Sequence, residues 1–104
     1  MFRESVLREA RMVVERHRVL SNLMRVLVLA IVALRGEASW GEIKGELEEL
    51  VGVVNPNALA FHLSVLMRSG YVSRVELGAR SVYKAVKVPD DIRGLVEALR
   101  GEKR

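Results

Sequence analysis

The sequence NPNALAFHLSVLMRSGYV, residues 55–72, predicts one helix with a defined start and a defined end. Asn55 can cap the helix with its side-chain oxygen, and Pro56 suits the first helical position, where no backbone donor is needed. The helix carries an apolar stripe of leucines at spacings of three and four: Leu59, Leu63 and Leu66. Gly70 can adopt the left-handed backbone that ends a helix. We therefore expect a helix over Asn55–Ser69.

Two β-rich segments follow this helix directly. They are YVSRVEL, residues 71–77, and RSVYKAV, residues 80–86, with Gly78 and Ala79 between them. β-Branched and aromatic residues on both sides of a glycine turn predict a β-hairpin. A helix, a glycine and a hairpin follow one another in this order in a winged helix. The expected fold class is mainly α with a β-hairpin (α+β): a winged helix-turn-helix with extra N- and C-terminal helices.

Several residues of this region match the pattern of a known family: a small residue, x, His-Leu-x-x-Leu, and then Gly-aromatic-Val. The matching residues are Ala60, His62, Leu63, Leu66, Gly70, Tyr71 and Val72. The basic segment ELGARSVYK, residues 76–84, corresponds to the wing. In these features residues 21–88 resemble winged helix-turn-helix transcriptional regulators of the ArsR and MarR type, particularly small archaeal members. The resemblance implies a DNA-binding transcriptional regulator.

The expected winged-helix domain, residues 21–88, begins with a strongly apolar helix. Ser21 can cap a helix over Asn22–Arg35, and Gly36 can end it. The centre of this helix, VLVLAIVAL, is apolar nearly all round. Such a helix should be covered on more than one side.

A capping box predicts the next helix. Ser39 and Glu42 have the S-x-x-E spacing, in which each side chain accepts the backbone N–H of the other residue. The helix is expected over Trp40–Leu50. Residues 51–54 then form the turn of the helix-turn-helix.

An amphipathic helix is expected at the N-terminus, over Arg3–Arg18. One helical stripe contains Val6, Leu7, Ala10, Val13, Val14 and His17. Because the winged-helix domain is complete without this helix, we interpret residues 1–20 as a dimerisation helix that packs on a second copy. The alternative is a helix that packs only within its own chain.

A short helix is expected in residues 89–104. Pro89 ends the strand, Asp90 can cap the helix, and an apolar stripe follows: Ile92, Leu95, Val96 and Leu99. This helix could pair with the N-terminal helix in a homodimer. We therefore add Leu95 and Leu99 to the expected dimer interface.

The helix over Asn55–Ser69 is the candidate DNA-reading element, because the major groove accepts one α-helix. Asn57 is the amide that could pair with adenine, whereas Ala58 and Phe61 can offer only apolar contacts. Basic residues at the helix end and in the hairpin should bind phosphate, with Arg80 entering the minor groove. The candidate DNA-binding residues are Asn55, Asn57, Ala58, Phe61, His62, Ser64, Arg68, Arg74, Arg80 and Lys84.

Three of these residues have a second interpretation. His62 could be packed against the hairpin and hydrogen-bonded instead of reading DNA, and Phe61 could belong to the core or to an interface. The cations around Arg80 could form a solvated basic hairpin. The sequence leaves both interpretations open for each residue.

The distribution of charge favours double-stranded DNA as partner. The formal net charge is +4. Residues 55–88 contain five basic residues and one acidic residue, a balance of +4, whereas residues 37–54 contain five acidic residues and one basic residue, a balance of −4. A positive field around the helix and wing attracts a polyanion.

Other function classes find little support in the sequence. The absence of cysteine excludes disulfides, thiolate metal sites and the thiol-based metal sensing associated with many ArsR-type proteins. Two isolated histidines and no phosphate-binding glycine loop argue against an enzyme, a metal or a cofactor. No signal peptide is recognisable, and the longest apolar run has nine residues, whereas a membrane span needs about 20. We expect a cytoplasmic protein with no membrane contact. The sequence does not indicate whether a small-molecule effector binds.

The alternative function is a protein-interaction subunit of a larger complex. It is favoured by the absence of Lys and Arg before Arg68 in the 55–69 helix and by the outward position expected for Phe61.

Overall fold

The structure is a computed structural model that describes residues 2–14 and 22–102. Its elements are α1 (Phe2–Val14), α2 (Leu23–Arg35), β1 (Glu37–Ala38), α3 (Trp40–Val51), α4 (Pro56–Arg68), β2 (Val72–Leu77), β3 (Arg80–Ala85) and α5 (Asp90–Glu102). Helices thus flank a helix-turn-helix and a hairpin on both sides along the chain. The expected α+β winged-helix fold class is confirmed.

The predicted signals at both ends of α4 are confirmed. The side-chain oxygen of Asn55 accepts the backbone N–H groups of Asn57, at 2.8 Å, and Ala58, at 3.3 Å. Pro56 is the first helical residue. Gly70 has a φ of +83°, which places it in the left-handed region that favours glycine. Local chemistry therefore fixes where this helix begins and ends.

The capping box at the start of α3 is also confirmed. The Ser39 hydroxyl accepts the backbone N–H of Glu42 at 3.2 Å, and the Glu42 carboxylate accepts the backbone N–H of Ser39 at 2.9 Å. Two otherwise unpaired helix donors are satisfied in this way.

Three local features differ from the sequence expectations. Asn22, expected as the first helical residue, caps α2, because its side-chain oxygen accepts the backbone N–H of Met24 at 2.9 Å, and Ser21 lies outside the described residues. β1 was not expected, since a strand of two residues has no periodicity to detect. Asp90 is the first residue of α5, and the carbonyl of Pro89 accepts the backbone N–H groups of Ile92 and Arg93. With 13 residues, α5 is as long as α4.

The core is organised around α2. Its seven central residues, numbers 26–32, are all buried, as expected for a helix covered on several sides. α2 contacts all four other helices and also β1 and β3. The burial of this helix removes apolar surface from water, which is the main favourable contribution to folding.

The hairpin forms the centre and one edge of a three-stranded antiparallel sheet. The strand order is β1-β3-β2, and Leu77 pairs with Arg80 across the Gly78–Ala79 turn. On the other edge Glu37 pairs with Lys84. Because side chains alternate along a strand, Arg80 and Lys84 share one face of the sheet, and Arg74 lies on the opposite face.

The stripes of α1 and α5 pack within their own chain. α1 contacts α5 and α2, and five of the residues expected at a dimer interface are buried in the single chain: Val6, Ala10, Val13, Leu95 and Leu99. Leu7 and Val14 pack partly buried against the same core, and His17 lies outside the described residues. This is the intrachain arrangement that the pattern left open. The dimer contact stays a prediction.

Candidate nucleic-acid interface

One side of α4 faces away from the core and carries no charge until its last turn. Spacings of four, three and four residues place Asn57, Phe61, Ser64 and Arg68 on this side. We call these four residues the outward stripe. Asn57, Phe61 and Arg68 are exposed and Ser64 is partly buried, whereas the leucine stripe on the opposite side is buried. Ala58 is partly buried at the flank of the outward stripe.

The two asparagines at the start of α4 have different tasks. The carboxamide oxygen of Asn55 already accepts two backbone N–H groups, so its main task is to hold the helix start. The side chain of Asn57 is exposed and makes no hydrogen bond with any other described residue. Asn57 therefore has both its amide donor and its amide acceptor available to a ligand.

His62 does not lie on the outward stripe. It is only 9% exposed, and its Nδ1 accepts a hydrogen bond of 3.2 Å from the Nε of Arg25 in α2. Burial lowers the pKa of the imidazole, and the positive charge of Arg25 lowers it further. The expectation that His62 reads DNA stays untested. Its ring is buried and hydrogen-bonded, as the second interpretation had it, and the hydrogen-bond partner is Arg25 of α2.

Phe61 forms the border between the outward stripe and α2. Its side chain is 53% exposed, and its ring meets the ring of His62 edge to face at 5.6 Å between centroids. The guanidinium carbon of Arg25 lies 5.7 Å from the centroid of the Phe61 ring, a cation–π arrangement. Phe61 is therefore neither a core residue nor an isolated surface residue.

Arg25 was not among the candidates from the sequence. Its hydrogen-bond partner His62 lies 37 positions away along the chain, so no local pattern predicts this contact. One signal was present, however: Arg25 is a cation in the first turn of a helix, where the helix dipole disfavours positive charge.

The cations of the wing are held by neighbouring acids. The Nε of Arg74 lies 3.2 Å from a carboxylate oxygen of Glu76, and Ser81 accepts from Arg74 while donating to Glu76. On the other face of the sheet the Nζ of Lys84 lies 3.6 Å from a carboxylate oxygen of Glu37. These pairs are exposed and hence weak, so a phosphate could replace the acid.

Arg68 and Arg80 differ from the paired wing cations. Both are exposed, and neither forms an ion pair with another residue in the described parts of the chain. The pKa of Glu42 is lowered mainly by the backbone N–H of Ser39, with smaller contributions from charged groups that include Arg80. Arg80 at the wing tip thus acts electrostatically on the start of α3.

Several acidic side chains of residues 37–54, the segment before α4, form ion pairs with nearby cations. Arg35 at the end of α2 binds Glu42 and Glu46 of α3, and Lys44 pairs with Glu48 at 2.9 Å. The negative balance of residues 37–54 is therefore partly neutralised by α2 and by α3 itself.

Metal and membrane sites find no support in the described residues. Within residues 2–14 and 22–102, no cluster of three or more His, Asp or Glu side chains could hold a metal ion. No single helix there is long and apolar enough to cross a membrane; α3 and α4 meet that test only as a pair, bent by 111°.

Comparison with known proteins identifies similar folds only among solved structures. No family model and no curated protein matches the sequence. Reduced HlyU from Vibrio cholerae N16961 aligns with a TM-score of 0.57 and 23% identity, over 96% of this chain and 87% of that chain. A second structure of HlyU from Vibrio cholerae N16961 aligns with a TM-score of 0.56 and 24% identity, over 96% of this chain and 90% of that chain. At this identity the similarity establishes the winged-helix fold.

Proposed function

We propose that this protein is a transcriptional regulator that binds double-stranded DNA, with α4 in the major groove and the β2–β3 wing on the backbone or in the minor groove. The observation that carries the proposal is the outward stripe of α4, which is uncharged up to Arg68 and is followed directly by a basic hairpin. The fold of HlyU, a winged-helix transcription regulator of the ArsR/SmtB family, supports the same function class.

The dimensions of α4 fit the major groove. The helix has 13 residues and is therefore about 20 Å long, with a diameter of about 10–12 Å including side chains. The major groove is about 12 Å wide, so one such helix fills it. Its outward stripe then faces the base edges.

Sequence reading rests on few groups in this arrangement. The amide of Asn57 can donate to and accept from an adenine edge. Phe61 offers an apolar surface that suits a thymine methyl, and the Ser64 hydroxyl can bind a base or a phosphate. We expect modest sequence preference, because a single amide carries most of the hydrogen-bond discrimination.

Phosphate contacts come from the helix end and the wing. Arg68 and Arg80 are exposed cations without an ion pair among the described residues. Lys84 and Arg74 lie on opposite faces of the sheet and would exchange a carboxylate for a phosphate. Because the two faces of a narrow hairpin can meet two different backbone segments, both cations can contribute to binding.

We also propose a homodimer that presents two copies of α4 to half-sites about one DNA turn apart. The buried residues of α1 and α5 stabilise each chain, so the contact between chains would use the outer side of α1. Met12, which is exposed on α1, is one apolar residue available for it. Such a regulator acts on chromosomal DNA, so we place it in the cytoplasm.

The second candidate function is a protein-interaction subunit. Two exposed apolar side chains favour it: Phe61 on α4 and Val53 in the turn before α4, which is 98% exposed. In this case the outward stripe would bind an apolar surface of another protein, and duplex DNA would not compete for it.

The experiment is fluorescence anisotropy with labelled duplexes over a series of salt concentrations. We expect Arg80→Ala to weaken binding to every duplex and to reduce the salt dependence, and Asn57→Ala to remove sequence preference with little change in salt dependence. Arg93→Ala, in an exposed arginine of α5, is the matched control and should change neither. No binding of any duplex at low salt would support the protein-interaction function instead.

A further inference from the structure

Arg25 lies at a position where a helix does not favour a cation. It is in the first turn of α2, which contains no acidic residue, so the helix dipole acts against its charge. The rest of α2 up to Arg35 is apolar. The charge of Arg25 therefore does not stabilise α2 through the helix dipole.

The environment of Arg25 holds its guanidinium at the flank of α4. The Nε donates to Nδ1 of His62, and the guanidinium carbon lies over the ring of Phe61. Phe61 belongs to the outward stripe, whereas His62 is buried beside the leucine stripe. Arg25 thus spans the side of α4 from the core to the edge of the outward stripe.

We propose that Arg25 binds a DNA phosphate, so that α2 supplies a backbone contact beside the recognition helix in addition to those of the wing. This inference rests on the proposed function, because it presumes that the outward stripe enters the major groove. A helix in that groove fills its width, and groups at the flank of the helix meet the phosphates that line the groove.

The partners of Arg25 suit this task. A neutral imidazole accepts from Nε and so fixes the plane of the guanidinium. A planar guanidinium with a fixed orientation suits the oxygens of a phosphate better than the point charge of a lysine. His62 is then a positioning residue, and the buried histidine of the recognition helix acts on DNA through Arg25.

The test compares the salt dependence of duplex binding for the full chain and its variants. Arg25→Gln keeps a donor near His62 and removes the charge. We expect it to reduce the slope of log affinity against log salt by about 0.9, the value for one lost phosphate contact. When the salt concentration rises from 50 to 200 mM, the loss of affinity should therefore be about 3.5-fold smaller for the variant than for the wild type. Arg93→Gln on α5 is the charge-matched control and should keep the wild-type slope.

A second variant, Arg25→Met, separates the charge of Arg25 from its packing against Phe61. Arg25→Met keeps an apolar stem against Phe61 and also removes the charge, so it should show the same reduced slope as Arg25→Gln. Circular dichroism identifies any variant that does not fold, and the slope is compared only between folded proteins. A purely structural arginine would change the melting temperature and leave the slope unaltered.

The outcomes separate this inference from the proposed function. If the wild type shows no salt-dependent duplex binding, the proposed function is wrong and the inference falls with it. If the wild type binds and Arg80→Ala reduces the slope, but folded Arg25→Gln or Arg25→Met keeps the wild-type slope, only the assignment of Arg25 is wrong.

Discussion

Replacing Glu76 by Gln should strengthen binding to any DNA duplex. Glu76 holds Arg74 by an ion pair of 3.2 Å and also accepts from Ser81. Glutamine keeps an acceptor for the Ser81 hydroxyl and removes the negative charge. Arg74 can then turn to a phosphate without leaving a carboxylate.

The size of the effect follows from the exposure of the pair. The two side chains are 53% and 67% exposed, and exposed ion pairs contribute only about 0.2–1 kcal/mol. Since 1.4 kcal/mol corresponds to a tenfold change in affinity, Glu76→Gln should raise affinity between about 1.4-fold and fivefold. The assay is anisotropy with two unrelated duplexes at one salt concentration, and both should show the same gain.

Two controls decide the cause of the gain. Glu97→Gln on α5 changes the net charge equally, but its partner Arg100 lies outside the proposed interface. Glu76→Gln in an Arg74→Gln background removes the cation that should benefit, and the gain should then disappear. A gain that persists without Arg74, or that Glu97→Gln reproduces, would refute the role assigned to the wing pair.

Three further predictions concern stability, and urea denaturation measures each of them. Asn55→Ala removes the acceptor of two backbone donors and should lower the free energy of unfolding by about 1 kcal/mol. Asn55→Ser keeps a capping oxygen and should lose only a small part of that stability. Equal losses in the two variants would exclude capping as the cause. Gly70→Ala places a side chain at a φ of +83° and should destabilise by about 1–2 kcal/mol; Gly45→Ala, inside α3 and facing no atom within 4 Å, should instead stabilise by up to about 1 kcal/mol. The pKa of His62 is lowered in the folded chain. The neutral imidazole therefore contributes fully to folding stability above the unfolded pKa of about 6.5, and this contribution decreases as the pH falls below that value. His62→Asn should show a smaller loss of stability between pH 7.5 and 5.5 than the wild type, and an equal loss would contradict this assignment.

Local chemistry explains why the sequence predicts some elements accurately. The start of α4 depends on Asn55 and Pro56, and its end on Gly70, and each acts on its own immediate backbone. The same holds for the capping box of Ser39 and Glu42. Interactions over two to four residues are visible in a sequence, and the structure confirms them.

Apolar periodicity indicates that a face is buried but not what buries it. The stripes of α1 and α5 have the helical spacing expected of an interface, yet they bury one another and α2 within one chain. A pattern on a single helix does not distinguish an intrachain neighbour from a second copy. The dimer therefore stays a prediction, whereas the amphipathic character of both helices was predictable.

The candidate interface was predictable only in part, because its electrostatics depend on long-range contacts. Strand alternation separates Arg74 from Arg80 and Lys84 once the hairpin register is known. The pairing of Lys84 with Glu37 depends on β1, which is too short to predict. The contact of Arg25 with His62 joins two helices far apart in sequence. In the proposed DNA complex, these contacts determine which cations are available to a phosphate and which must first leave a carboxylate partner.

Cysteine chemistry is excluded in this chain, because the sequence contains no cysteine. No thiol oxidation or thiolate metal binding can therefore operate in it.

NMR chemical-shift mapping with duplex DNA tests whether α4 and the wing form the proposed DNA-binding surface. Backbone amide shifts of the labelled protein, 11.7 kDa per chain, would be followed as an unlabelled duplex is added at moderate salt. We expect the largest shifts in residues 55–69 and 72–85 and a further change at Arg25, while the exposed side of α5 changes little. Uniform small shifts, or shifts concentrated on α1 and α5 with α4 unaffected, would contradict α4 and the wing as the DNA-binding surface.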